Sequence, residues 1–160
     1  MSRAAILPLL VVLAAGCVRP APPPSPVPGA EAKRGVLQIV VEPNPIVAIP
    51  VEGETWQFPI TLRIRELGGS RVEIDRVGVD VFAVGGLKVY STTLDQAEID
   101  ARGYTRQLPA NGEIRYRITP RQKIPDARLF SSVVAELWVE GTDAGGATPS
   151  TRTRVSVVAR

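Results

Sequence analysis

Residues 58 to 65 read Phe58-Pro59-Ile60-Thr61-Leu62-Arg63-Ile64-Arg65, apolar at every second position and polar between them from Thr61 onward. A period of two puts Phe58, Ile60, Leu62 and Ile64 on one face of a β-strand and Thr61, Arg63 and Arg65 on the other. The same period continues in both directions. Upstream, Leu37, Ile39 and Val41 form a set that Pro43, Pro45 and Pro50 interrupt, as suits an edge passing from one sheet to another. Downstream, Gly68-Gly69-Ser70 makes a turn, and Val77, Val79, Val81 and Ala83 form the next inward set. Val72 and Ile74 have the opposite parity, which a bulge near Asp75 or Arg76 reconciles. Leu87, Val89 and Ser91 suit a short strand after Gly85-Gly86. Ile114, Tyr116 and Ile118 follow an Asn111-Gly112 turn. Val133, Ala135, Leu137 and Val139 form another set, and Val155 and Val157 a last one beyond a loop at 141–149.

One helix interrupts the strands. Thr93-Leu94-Asp95-Gln96 reads as a capping box opening a helix through about Arg102, with Gly103 as its stop. About seven short strands, one brief helix and no alternating strand-helix pattern predict an all-β, antiparallel sandwich. The order and spacing over residues 35–160 resemble an immunoglobulin or fibronectin type III fold. The cysteine pair of antibody domains is absent, so packing alone has to hold the two sheets together.

The composition narrows the chemistry. The chain has 160 residues with no His and a single cysteine, Cys17. That excludes imidazole bases, Ser-His-Asp and Cys-His sites, thiolate or imidazole zinc sites and any internal disulfide. At the N-terminus, Arg3 precedes an apolar run from Ala4 to Leu13, broken only by Pro8 and shorter than the roughly 20 residues a bilayer span needs. Leu13-Ala14-Ala15-Gly16-Cys17 resembles the lipobox of bacterial lipoproteins, although Ala14 stands where the family more often has Leu. The resemblance implies removal of residues 1–16, a thioether diacylglycerol on Cys17 and, in many Gram-negative hosts, N-acylation. It also implies the cell envelope as location. Val18 after the cysteine points to the outer membrane, facing the periplasm, in a Gram-negative host.

Residues 17–34 then form a lipidated cysteine and linker. From Arg19 to Ala30 six of twelve residues are Pro, which predicts polyproline II rising at roughly 3.1 Å per residue rather than a packed segment. Residues 35–160 make up the folded domain. Removing residues 1–16 takes away Arg3, one of 19 basic side chains set against 16 acidic ones, so the charge balance is close to neutral and does not call for nucleic acid.

Two surfaces stand out. If the strand Phe58–Arg65 lies beside Glu113–Thr119, then Arg63, Arg65, Arg115 and Arg117 share one outer face, with Glu113 as counter-charge. Such a face could bind an anionic polymer or simply stay solvated. Phe82 and Trp138 fall on the minority parity of two strands that pair in this fold, alongside Asp80 and Val134. They point away from the core, either as a partner surface or under the helix. Arg152 and Arg154 read as solubilising. Asp75, Asp80, Asp95, Asp100 and Asp143 are too scattered to predict a metal site, and the Glu136 and Glu140 pair implies no cleft. The expectation is a noncatalytic, cofactor-free envelope lipoprotein whose sandwich contacts a protein partner, with a binding module for an anionic polymer or glycan as the alternative.

Overall fold

Alternating apolar residues become paired strands throughout residues 33–160, the part of the chain that the computed structural model describes. The signal segment, Cys17 and the proline-rich linker lie outside the described residues. The elements are β1 (Leu37–Glu42), β2 (Ile46–Glu52), β3 (Thr55–Gln57), β4 (Ile60–Glu66), β5 (Val72–Phe82), β6 (Lys88–Leu94), α1 (Gln96–Ala101), β7 (Gln107–Leu108), β8 (Glu113–Ile118), β9 (Arg121–Lys123), β10 (Val134–Asp143) and β11 (Ser150–Ala159). Two sheets result. The smaller has the order β1-β4-β8, and the larger β6-β5-β10-β11-β2-β3-β9 with β7 also on β5. Every pairing is antiparallel except β11 with β2.

The predicted sandwich of about seven strands has eleven among the described residues. The additions are β2, β3, β7 and β9, which are short or proline-interrupted and show too little alternation to read as strands. The proline-marked break does mark a change of sheet, since β1 lies in the smaller sheet and β2 in the larger. Pro59 confines the regular ladder to Ile60 onward, and Phe58 packs beside it, its ring centroid 6.1 Å from that of Phe130.

The core lies between the inner faces. Leu62, Ile64 and Tyr116 from the smaller sheet meet Ile74, Leu137 and Val139 from the larger, all with almost no exposure. Burying each such side chain contributes about 1.5 to 3 kcal/mol, before the entropy of ordering the chain is set against it. The parity switch in β5 is a bulge. Arg76 stands opposite Glu140 but Ile74 opposite Gly141, so Asp75 is the extra residue, held by Thr142 Oγ1 and Gln96 Nε2 at 2.7 Å each. Gly141 is required here, because a Cβ would lie 2.5 Å from the Glu73 carbonyl oxygen.

The helix begins later than the sequence suggests. Thr93 and Leu94 stay in β6, where Leu94 is buried opposite Val77, and the reciprocal capping box is Asp95 with Glu98. Gly103 follows at φ +74°, the left-handed geometry of a helix stop. The single buried residue of α1, Ile99, joins the core, so the helix closes the side of the sandwich and does not fold over the larger sheet's outer face.

One carboxylate ties three loops together. Glu66 ends β4 at an inward position and is 1% exposed. Its oxygens accept the backbone N–H groups of Val36, Gly68, Gly69 and Asn111 at 2.6 to 3.1 Å. Burial alone would raise its pKa, but the four donors outweigh that and hold it below the usual carboxylate range. Glu66→Ala is therefore expected to destabilise the fold by about 3 kcal/mol or more, since buried donors are left unpaired. Urea unfolding checks this, and a change under about 1 kcal/mol would mean the loops hold without it.

Candidate functional site

The outer face of the larger sheet carries the most developed side-chain arrangement. Three strands set it up through their register. Phe82, Asp80 and Gly78 of β5 lie opposite Val134, Glu136 and Trp138 of β10, and the last two lie opposite Arg154 and Arg152 of β11. Trp138 rests directly on Gly78, where a Cβ would come within 2.3 Å of the indole. The absence of a side chain is what lets the ring pack against the strand. Phe82 is flanked by Lys88 Nζ at 5.9 Å and Arg154 Cζ at 6.0 Å from its ring centroid, within cation-π range.

Beside the rings two carboxylates face each other across the β5–β10 pair, and each residue is only 8% exposed. Asp80 accepts from the Ser91 hydroxyl at 2.6 Å and pairs with Lys88 at 3.1 Å. Glu136 pairs with Arg154 at 2.7 Å and Arg152 at 3.2 Å. The Ser91 hydrogen bond holds Asp80 low against opposing burial, helped by Lys88 and Arg152. Arg154 does the same for Glu136, helped by Arg152. Both acids thus stay ionised side by side because three cations surround them. Arg152 and Arg154, expected to be merely solubilising, are counter-ions, and Glu140 of the same strand is spent on Arg76 at 2.6 Å.

The arginine face forms on the other side of the molecule. Arg63 lies directly opposite Arg115, Arg65 opposite Glu113, and Arg117 opposite Thr61. Glu113 gathers three of the four. Arg63 bonds it through Nε at 3.1 Å and an η nitrogen at 2.8 Å, Arg65 at 2.6 Å and Arg115 at 2.7 Å. Arg63 also reaches Glu42 of β1 at 2.8 Å, a second counter-charge that sequence reasoning missed because it did not place β1 beside β4. Hydrogen bonds from Arg63, Arg65 and Arg115 hold the Glu113 carboxyl far below its ordinary value. The side chain of Arg117 joins no ion pair among the described residues, while its backbone oxygen accepts from the Tyr104 hydroxyl. Among the described residues no cluster of three or more His, Cys, Asp or Glu side chains is placed to hold a metal ion.

No family model and no curated protein matches this chain. Solved structures do resemble it. A Bordetella pertussis protein assigned the name ApaA superposes with a TM-score of 0.52 at 13% identity, covering 78% of this chain and 96% of that one. A target of the Northeast Structural Genomics Consortium gives 0.51 at 12% identity, covering 76% of this chain and 86% of its own. The likeness is one of fold alone.

The arginine network has a pH signature. Glu113 has a depressed folded pKa, so its contribution is fully present above the unfolded value of about 4.3 and is lost as pH falls toward the folded one. Glu113→Gln is expected to lower the Tm at pH 7, to recover part of that loss in high salt, and to flatten the decline in stability below pH 4. By the same pairing, Arg63→Gln lowers the Tm while the more exposed Arg115→Gln changes it little. Thermal unfolding across pH and salt tests both statements, and a Tm that rises on removing Arg63 would mean repulsion dominates the face.

Proposed function

We propose that this chain is a noncatalytic envelope lipoprotein, anchored through lipid on Cys17, whose sandwich contacts a protein partner through the outer face of its larger sheet. The observation that carries the reading is Trp138 seated on Gly78 and opposite Arg152, on the same face as Phe82 with Lys88 and Arg154 at its ring. Tryptophan and arginine at the centre of a flat, preorganised patch are the residue types that dominate binding energy in protein interfaces. The strand order supports an immunoglobulin-like sandwich. In that reading β1, β4 and β8 are strands A, B and E, and β5, β6, β10 and β11 are C, C′, F and G. The second half of the split first strand is β2, running parallel to the last. The proposed partner face is then the one formed by C′, C, F and G.

The alternative, an anionic polymer or glycan on Arg63, Arg65, Arg115 and Arg117, has less support. Three of these guanidinium groups already donate to Glu113 or Glu42, and a ligand phosphate would have to displace them.

Two measurements on the full chain in its host test the proposal. Mass spectrometry is expected to find residues 1–16 removed and acyl chains on Cys17, and an intact N-terminus would remove the anchor. In situ crosslinking is expected to give a protein adduct that survives moderate salt and weakens at least about tenfold in Trp138→Ala. An adduct indifferent to Trp138→Ala but lost with salt or Arg117→Gln would shift the function to the arginine face.

A further inference from the structure

The main order of the two sheets ends on β1 and β8 in the smaller and on β6 and β9 in the larger. Three of these edges carry features that discourage further pairing. The strand β1 runs into Glu42 and Pro43, and β8 presents Arg115 and Arg117 and gives its Arg117 carbonyl to the Tyr104 hydroxyl. The short β9, Arg121–Lys123, has two like charges in three residues. Charges, prolines and short length are the usual means by which an edge avoids a second strand.

The β6 edge is different. It reads Lys88-Val89-Tyr90-Ser91-Thr92-Thr93-Leu94, lies against β5 on one side and has no strand on the other among the described residues. From Tyr90 to Leu94 its ladder with Val81 to Val77 is regular and all of its residues are uncharged, most of them good strand formers. Val89 is the extra residue of a bulge, so Lys88 stands opposite Phe82. Val84, Leu87 and Val89 leave apolar surface 73%, 67% and 54% exposed where the strand begins.

This edge is complementary to itself. Between Val84 and Gln96 the only charged residues are Lys88 and Asp95, of opposite sign and at opposite ends of the strand. Asp95 is exposed and joins no ion pair among the described residues. Antiparallel pairing about a two-fold axis at Thr92 sets Thr92 opposite its own copy, Tyr90 opposite Leu94 and Ser91 opposite Thr93. With the bulged Val89 passed over, Lys88 then meets Asp95 of the second copy, once on each side of the axis.

We propose that the chain forms a two-fold dimer through β6, joining the larger sheets of two copies edge to edge. Main-chain hydrogen bonds across the seam supply affinity, and the two Lys88–Asp95 pairs fix the antiparallel register. An axis normal to the sheet leaves both outer faces on the same side, so the two Trp138 patches face one way. The dimer does not rest on that patch being a partner site.

The test is oxidative crosslinking of the full chain in host cells, with the chain lacking an added cysteine setting the background from Cys17. Facing residues of an antiparallel pair have Cα atoms about 4.5 to 5.5 Å apart, within the roughly 4.4 to 6.8 Å of a disulfide. Thr92→Cys is therefore expected to give a disulfide-linked dimer, and the exposed Arg117→Cys on the β8 edge is not. Adding Ser91→Lys and Thr93→Lys to Thr92→Cys places lysine opposite lysine across the seam, while in the single chain both positions are exposed and Asp80 gains a cation for the lost hydroxyl. The triple variant should stay folded by circular dichroism and crosslink at least about tenfold less. Lys88→Gln, which removes the attraction to Asp95, should reduce the dimer several-fold, and it decides the question if the triple variant is unfolded. Absence of a Thr92→Cys dimer, equal crosslinking of Arg117→Cys, a Thr92→Cys adduct with a different protein, or a dimer that these charge changes leave untouched would overturn the proposal.

Discussion

An eight-stranded sheet is faced by one of three strands, and most of the molecule's properties follow from that inequality. Apolar contact between the inner faces is the main stabilising interaction of a sandwich without disulfides, but it can extend only as far as the smaller sheet reaches. Over Leu62, Ile64 and Tyr116 the larger sheet is sealed. Beyond them the chain uses other material. The helix contributes Ile99, the segment before β10 contributes Phe130, and Glu66 pins the loops at the opposite end by satisfying four backbone donors. Where these supplements run out, Val79 and Val81 remain half-covered and a cavity of about 390 Å³ opens beside them.

The outer faces follow a second constraint, that charges on adjacent strands must be neutralised within a few ångströms or repel. Each face solves it by concentrating cations on very few carboxylates. Glu113 accepts from three arginines on one side, and Glu136 from two on the other. Such networks cost side-chain freedom, but they also fix long side chains in place. On the larger sheet the result is an ordered frame around Trp138 and Phe82. On the smaller sheet it consumes most of the donors that an incoming anion would need.

Much of the strand framework was legible from alternation alone. The β4 ladder, a bulge near Asp75 or Arg76, the change of sheet at the prolines and the outward parity of Phe82 and Trp138 all follow from a period of two and its interruptions. The short strands β3, β7 and β9 were not legible, because two or three residues carry no period. The helix start was misplaced by two residues because Thr93 and Leu94 stay in β6, with Leu94 buried opposite Val77, which leaves Asp95 to cap the helix. At the surfaces, alternation identified which side chains point outward but not which of them meet.

The sequence by itself therefore determined the class of fold, the facing of its strands, the lack of any imidazole or of a second cysteine to form a Cys-His, zinc or disulfide site, and the lipobox-like N-terminus, since each depends on residue type and local spacing. Only the tertiary structure decided that Glu42 joins Arg63, that Arg152 and Arg154 serve Glu136, and that Gly78 gives Trp138 its seat. It alone set the stretch of β5 at Val79 and Val81 that the smaller sheet leaves half-covered. Those pairings depend on register between strands far apart in the chain and on the relative extent of two sheets, and neither quantity is written in any local stretch of residues.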